Sequence, residues 1–270
     1  MLSLLRRLSG LGLNGLGTAP APKPRAPAVK RPPVVAMTVQ IPRADGPDET
    51  VPVLVRHSAQ ARHIALKLSP SAGTVTLVVP RGVALARAMT FLKSRETWIV
   101  EHWRVMPPRI PFEAGAIIPV LGRDRLVVAA GAKRGIPPFR LTDETIEIGG
   151  ASEHLPRRLQ AGLTALARPI LAEKSQVLAA RLDRKIAKVT MGDPGQRWGS
   201  CNSRGNLRFS WRLILAPEAV IDYVAAHEVA HLVEMNHGPR FWLLVEQLAP
   251  GHAAQRAWLR EHGTRLMRYG

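Results

Sequence analysis

His227, Glu228, Val229, Ala230 and His231 form the one run of this sequence in which residue type and spacing together imply chemistry. Residues four apart on a helix lie one above the other, so both imidazoles face a common point. A divalent zinc ion bridges such a pair at about 2.0–2.1 Å from each nitrogen. Glu228 comes one position after the first ligand and projects beside the metal rather than onto it. From there it can take a proton from a metal-bound water and pass it to a leaving amine.

A catalytic zinc needs a third protein ligand and one open position for water. His237 is the residue available, but not on the same unbroken helix. Ten residues beyond His227 it would point some 80° away and lie about 15 Å further along the axis. The chain must turn back, and Met235-Asn236-His237-Gly238-Pro239 contains the residues for a turn. Asn and Gly tolerate left-handed backbone, and Pro cannot continue a helix. Two unconnected surface histidines would give the same spacing. The flanking Val224, Ala225, Val229, Ala230 and Leu232 argue against that, because they bury most of the helix. Buried imidazoles beside a buried carboxylate need a compensating partner.

The elements that must hold these residues follow from periodicity. Residues 217–235 read as a helix with Pro217 suited to its first turn, followed by helices over 239–249 and 252–267. Upstream, 186–192 reads as a strand and 197–214 as a hairpin turning at Asn202, Ser203, Arg204, Gly205 and Asn206. Residues 152–182 are mostly helical, with Ser152 as the N-cap and Pro169 expected to kink the helix or split it. Earlier still, alternation predicts strands over 51–58, 62–70, 73–80, 116–122, 124–130 and 145–150. A helix is predicted over 84–106, where Leu85, Met89, Leu92, Trp98, Ile99 and Trp103 can share a face.

The 270-residue chain is 46% hydrophobic and 21% charged, which excludes a wholly disordered chain. Its single cysteine, Cys201, excludes a disulfide framework. No apolar run reaches the 18 or so residues of a membrane span. With 38 basic against 20 acidic residues the net charge is +18. Residues 1–43 hold seven of the basic residues and no acid. Such a balance favours polyanionic partners, so nucleic acid is an expected contact of the basic surface and tail. Residues 1–45 are rich in Pro and Ala without hydrophobic periodicity and read as a disordered basic extension. A mitochondrial transit peptide shares its acid-free character, but a dispensable extension fits better.

RWGSCNSRGNLRFSWRLILAP followed by DYVAAHEVAHLVEMNHGPRFW resembles the YgjP-like zinc metallopeptidases, whose signature is an RWGSC-type hairpin, a WRL stretch, HExxH and a downstream NH-x-x-x-FW block. The likeness is close from about Gln196 to His262. The segments RHIALKLSP, VTLVVPRG and TWIVEHW resemble the amino-terminal half of the same family. The resemblance implies His227, His231 and His237 as zinc ligands and Glu228 as general base and acid. Gly238 stands where many relatives have Ser, a change in a turn rather than in a ligand. The third-ligand arrangement is also similar to that of SprT-type and WLM-type proteases, which implies a zincin core. A metzincin is a poorer match, since Glu234 occupies the position where those enzymes have Gly.

Other residues carry weaker readings. Arg197, Trp198 and Ser200 start the hairpin that should border the cleft, where they can bind substrate or stabilise an oxyanion. Core packing for Trp198 and Trp211 and an ion pair for Arg197 are the plainer alternatives. Cys201 could approach the metal or stay a small buried thiol. Asp222 could orient a ligand imidazole. Glu234 has either a supporting or a surface role, and Asn236 a backbone one. His57, His63, His102, His154, His252 and His262 have no ligand spacing and read as surface or packing residues.

The expected fold is α+β: a disordered extension over 1–45, a β-rich region over 46–150, and a zincin-like metallopeptidase domain over 151–270. The expected activity is zinc-dependent hydrolysis of peptide bonds in a protein or peptide substrate, in the cytoplasm. Two rivals are a metal-dependent nucleotide phosphohydrolase and a basic nucleic-acid-binding protein with a structural metal. No P-loop supports the first. The open fourth position and Glu228 speak against the second, because structural zinc sites are closed by four protein ligands.

Overall fold

Strand alternation builds the first layer. In a computed structural model, which describes residues 36–42, 48–132, 135–195 and 197–270, β1 (Ala36–Ile41), β2 (Glu49–Ser58), β3 (Ala65–Ser69) and β4 (Thr74–Pro80) form one sheet in the order β1-β2-β4-β3. Val51, Val53 and Val55 alternate inward on β2, as do Val75, Leu77 and Val79 on β4. Period-2 burial of this kind selects a strand with one covered face. The cover is α1 (Leu85–Ser94) and α2 (Glu96–Arg104), which bury Ala88, Leu92, Ile99 and Trp103.

Two expectations change here. The helix predicted over 84–106 breaks at Arg95, whose amide bonds back to Leu92 O and closes α1. Leu85, assigned to the buried face, is exposed. The extension predicted over 1–45 is too long, because β1 pairs with β2 and buries Val39 and Ile41. The rest of that expectation, residues 1–35 and 43–45, lies outside the described residues.

A second sheet follows: β5 (Ile117–Val120), β6 (Arg123–Gly131), β7 (Arg140–Leu141) and β8 (Thr145–Gly149), in the order β5-β6-β8-β7. It does not extend the first core, as a single β-rich region over 46–150 would require. Ile118, Val120, Val127, Ile146 and Ile148 belong to a large core with the carboxy-terminal helices, whereas the smaller core runs from Val39 to Met106. The packing boundary therefore falls near residue 107 instead of 150.

The long helix α3 (Leu155–Arg181) spans the large core with Leu159, Leu163, Ala167, Ile170 and Leu171 buried. Pro169 does not split it. Pro169 and Ala165 are both exposed, so the carbonyl that loses its bond can be hydrated while the buried face runs on. Ser152 does not cap it either: it opens a short 3-10 turn, and His154 precedes the helix without a side-chain cap.

The third sheet, in the order β10-β11-β9, joins β9 (Lys188–Gly192), β10 (Gly199–Cys201) and β11 (Asn206–Ser210). Asn202 Oδ1 accepts from the amides of Arg204 and Asn206 and fixes the hairpin turn. The strand predicted to run to 214 instead becomes a 3-10 turn at Trp211–Leu215, with all five residues buried. Buried Arg212 donates to Asp193 at 2.8 Å and also to the Leu266 and Tyr269 carbonyls. It thereby ties the hairpin to the end of the chain. Helices α4 (Glu218–Ala230), α5 (Pro239–Leu248) and α6 (His252–Leu266) complete the fold. No helix among the described residues is long and apolar enough to cross a membrane.

Candidate metal centre

Helix α4 is enclosed on almost every side by its own apolar residues, with Val220, Ile221, Val224, Ala225, Ala226, Val229 and Ala230 buried. The helix runs to 230, five residues short of its predicted end. His231 caps it in helical conformation, and the Glu234 amide still bonds Ala230 O. The chain then reverses over 231–238 without left-handed backbone at Asn236 or Gly238, contrary to the expected use of those residues. Gly238 N instead donates to Asn236 O at 2.8 Å.

This reversal brings His237 back over α4. Its ring centroid is 5.0 Å from that of His227 and 4.8 Å from that of His231, and the His227–His231 separation is 5.1 Å. One ring nitrogen from each of the three lies within 4.8 Å of the others. His227 Nε2 and His237 Nε2 are 3.1 Å apart. Two nitrogens on one tetrahedral ion at about 2.0–2.1 Å would be about 3.3–3.4 Å apart, so this pair is close to the spacing that a zinc-sized divalent ion requires.

The floor beneath the three rings is Phe241, a residue that spacing arguments did not single out. It is fully buried, and its ring centroid lies 4.8, 4.6 and 4.6 Å from those of His227, His231 and His237. Its only signal in the sequence is the FW pair of the downstream block. Glu234 also has a specific part, through its backbone: His231 Nδ1 lies 3.0 Å from Glu234 O. With Nδ1–H donating to that carbonyl, Nε2 is the nitrogen left with a lone pair.

Electrostatics favour neutral, lone-pair-bearing rings. Burial pushes the His227 pKa down to about 3, with His231, His237, Arg256 and His252 adding to the effect. Burial also lowers His231, against the opposing Glu234 carbonyl. A neutral imidazole at pH 7 is a metal ligand, whereas an imidazolium is not.

Glu228 is 5% exposed, and its Oε2 has no hydrogen-bond partner among the described residues. Burial pushes its pKa up to about 8, and Arg197 pulls it the other way. A cation among the imidazoles would act in the same sense as Arg197. The opposite wall is the edge strand β10, where Gly199 lies directly against the Glu228 side chain.

The remaining predicted residues separate. Arg197 is exposed and electrostatically coupled to Glu228. Trp198 is half-buried against Gly263 of α6, and Ser200 sits on β10 opposite Arg208. Cys201 is outside the three-histidine group, and its thiol is pushed up to about 11 by burial and then by Glu228. Asp222 does not orient an imidazole: it pairs with Lys174, which also bonds Glu218 at 2.9 Å. His252, read as a surface or packing residue, stacks between Tyr223 and Trp242 at 5.8 and 5.6 Å, beside the centre. Nothing in its spacing from His227 signals this position.

A family model described as YgjP-like, metallopeptidase domain, matches residues 62–262, well over half of the chain. The chain belongs to the YgjP-like family. The matched region of this YgjP-like chain runs from just before β3 into α6 and includes the hairpin, α4, the reversal and all three histidines. It therefore carries a metallopeptidase domain, and the α+β fold agrees with the zincin-like expectation. No curated protein and no solved structure matches the chain.

Proposed function

We propose that this chain is a zinc-dependent peptidase that hydrolyses peptide bonds, with His227, His231 and His237 as the ligands and Glu228 as general base and acid. The observation that carries the reading is the convergence of three ring nitrogens within 4.8 Å beside a buried carboxylate, one oxygen of which has no partner among the described residues. Three imidazoles suit zinc among the divalent ions, and as three protein ligands they would leave one position open on it. When bound, zinc supplies Lewis acidity toward a carbonyl oxygen and toward water.

The other steps belong to the chain. Glu228 takes a proton from the attacking water and returns it to the leaving amine nitrogen, which avoids expelling an amide anion. Its burial restricts the carboxylate to few orientations, so the proton travels between fixed positions. Among the described strands β10 pairs only with β11, so an extended peptide can add along its other edge. Arg197, Trp198 and Ser200 border that side, with Arg197 the donor best charged for a developing oxyanion.

The test is a digest of denatured proteome by the zinc-loaded chain and by its Glu228→Gln variant, read by sequencing new termini. New termini should appear with the first and be at least about a hundredfold rarer with the second. The variant should keep its zinc, whereas His237→Ala should lose most of it. Equal termini from both proteins would exclude the mechanism. Full zinc in His237→Ala would exclude the ligand set.

A further inference from the structure

We propose that Arg256 anchors a substrate carboxylate beside the three-histidine centre, so that preferred peptides carry a carboxylate close to the scissile bond. The proposal rests on the peptidase reading and narrows its substrate class. The geometry begins with α6, on which His252 and Arg256 lie one turn apart and share a face. His252 fixes the direction of that face: it is stacked between Tyr223 and Trp242, and its Nδ1 lies 2.8 Å from Glu246 Oε2. Arg256 consequently comes to lie over Trp242, with its guanidinium carbon 4.5 Å from the ring centroid. The far side of the relationship is the metal centre, since the same Trp242 ring is 6.0 Å from His227 and 6.1 Å from His237. One indole thus separates an arginine from two of the three histidines.

Arg256 differs from the arginines that serve the fold. Arg212 is buried and bonded to Asp193 and to main-chain carbonyls, and Arg181 donates to the carbonyls of Gln247 and Leu248. Arg256 is exposed and takes part in no ion pair among the described residues. Glu246, the acid on this flank, is engaged by Gly251 N and His252. A guanidinium held over a ring keeps N–H edges free for a planar, bidentate acceptor. Its charge also opposes a divalent cation at the histidines, and an anion held on the guanidinium offsets that repulsion. A carboxylate satisfies both requirements, and a peptide offers it either at its carboxyl terminus or on an acidic side chain.

The experiment measures binding by calorimetry to the zinc-loaded, full-length Glu228→Gln protein, which cannot consume the peptide. The probes are tetra-alanine with a free carboxyl terminus, tetra-alanine amide, and the same amide with one alanine replaced by glutamate. At least one carboxylate-bearing probe should bind about tenfold or more tightly than the plain amide, as expected for a charge-assisted pair. Adding Arg256→Gln should erase that ratio, while Arg256→Lys should restore part of it. Tighter binding of the free acid assigns the terminal carboxylate, and tighter binding of the glutamate amide assigns the side chain. Equal binding of all three probes, binding of none at millimolar concentration, or a ratio that survives Arg256→Gln would overturn the anchor. Turnover of the same peptides by the unsubstituted chain is read separately. A binding preference without cleavage would sink the peptidase reading and leave the anchor standing; cleavage without a preference would do the reverse.

Discussion

Gly199 lies so close to Glu228 that a β-carbon on it would be 2.5 Å from Oε1 and 2.6 Å from Cγ. These contacts involve a buried side chain with little room to yield. Glycine is thus required at this point of β10 by the carboxylate across from it rather than by a left-handed backbone. Gly199→Ala should displace the Glu228 carboxylate and cost about 1–3 kcal/mol of stability through overpacking. Zinc content should stay near that of the parent, while peptide turnover falls by at least about tenfold. Metal analysis and steady-state kinetics on one preparation test this. Unchanged turnover would mean that the position of Glu228 is not set by β10.

Phe241 supports all three histidines at ring separations of 4.6–4.8 Å. Phe241→Ala should cost about 3–5 kcal/mol by opening a cavity in the core. It should also weaken zinc binding, because the rings lose the surface that aligns them. Phe241→Leu, which fills more of the space, should recover most of the stability and less of the metal affinity. Competition with a chelating dye measures the second effect independently of the melt.

Two truncations test whether the basic segment that precedes β1 belongs to the fold. A chain starting at Val34 retains β1, whereas one starting at Gly46 loses it, together with buried Val39 and Ile41. The first should melt with the full-length chain. The second should be less stable by several kcal/mol, at about 1.5–3 kcal/mol for each buried aliphatic side chain. Matching melting curves for both truncations would show that β1 contributes no stability.

Cys201 is held as a thiol. Burial, followed by the Glu228 charge, raises its pKa to about 11. A raised thiol pKa means that the reactive thiolate is scarce at pH 8 and increases only as pH approaches 11. Alkylation at pH 8 should therefore be much slower in the native chain than in urea. The native rate should rise through pH 9 and 10. A native rate equal to that in urea at pH 8 would contradict this environment.

Local features are legible in the residues alone. His227 and His231 are aligned by the four-residue helical repeat, and Glu228 follows from adjacency, so all three were legible from spacing. The hairpin turn at Asn202–Asn206 was equally legible, because Asn202 acts on amides only two and four residues away. Return of the chain to present His237 was required by the helix geometry, although the backbone it uses was not foreseen. The other features depend on how the elements pack. Helix α4 stops at Ala230, while α3 continues past Pro169, because burial and solvation around a helix outweigh its intrinsic propensities. Asp222 goes to Lys174 on another helix, and Gly199 meets Glu228 from another strand. His252 and Arg256 reach the metal centre through Trp242, across a turn and from a separate helix. Hydrophobic periodicity specifies which face of each element is buried, but not which neighbour covers it. That choice is made when the elements pack, and here it completes the surroundings of the three histidines.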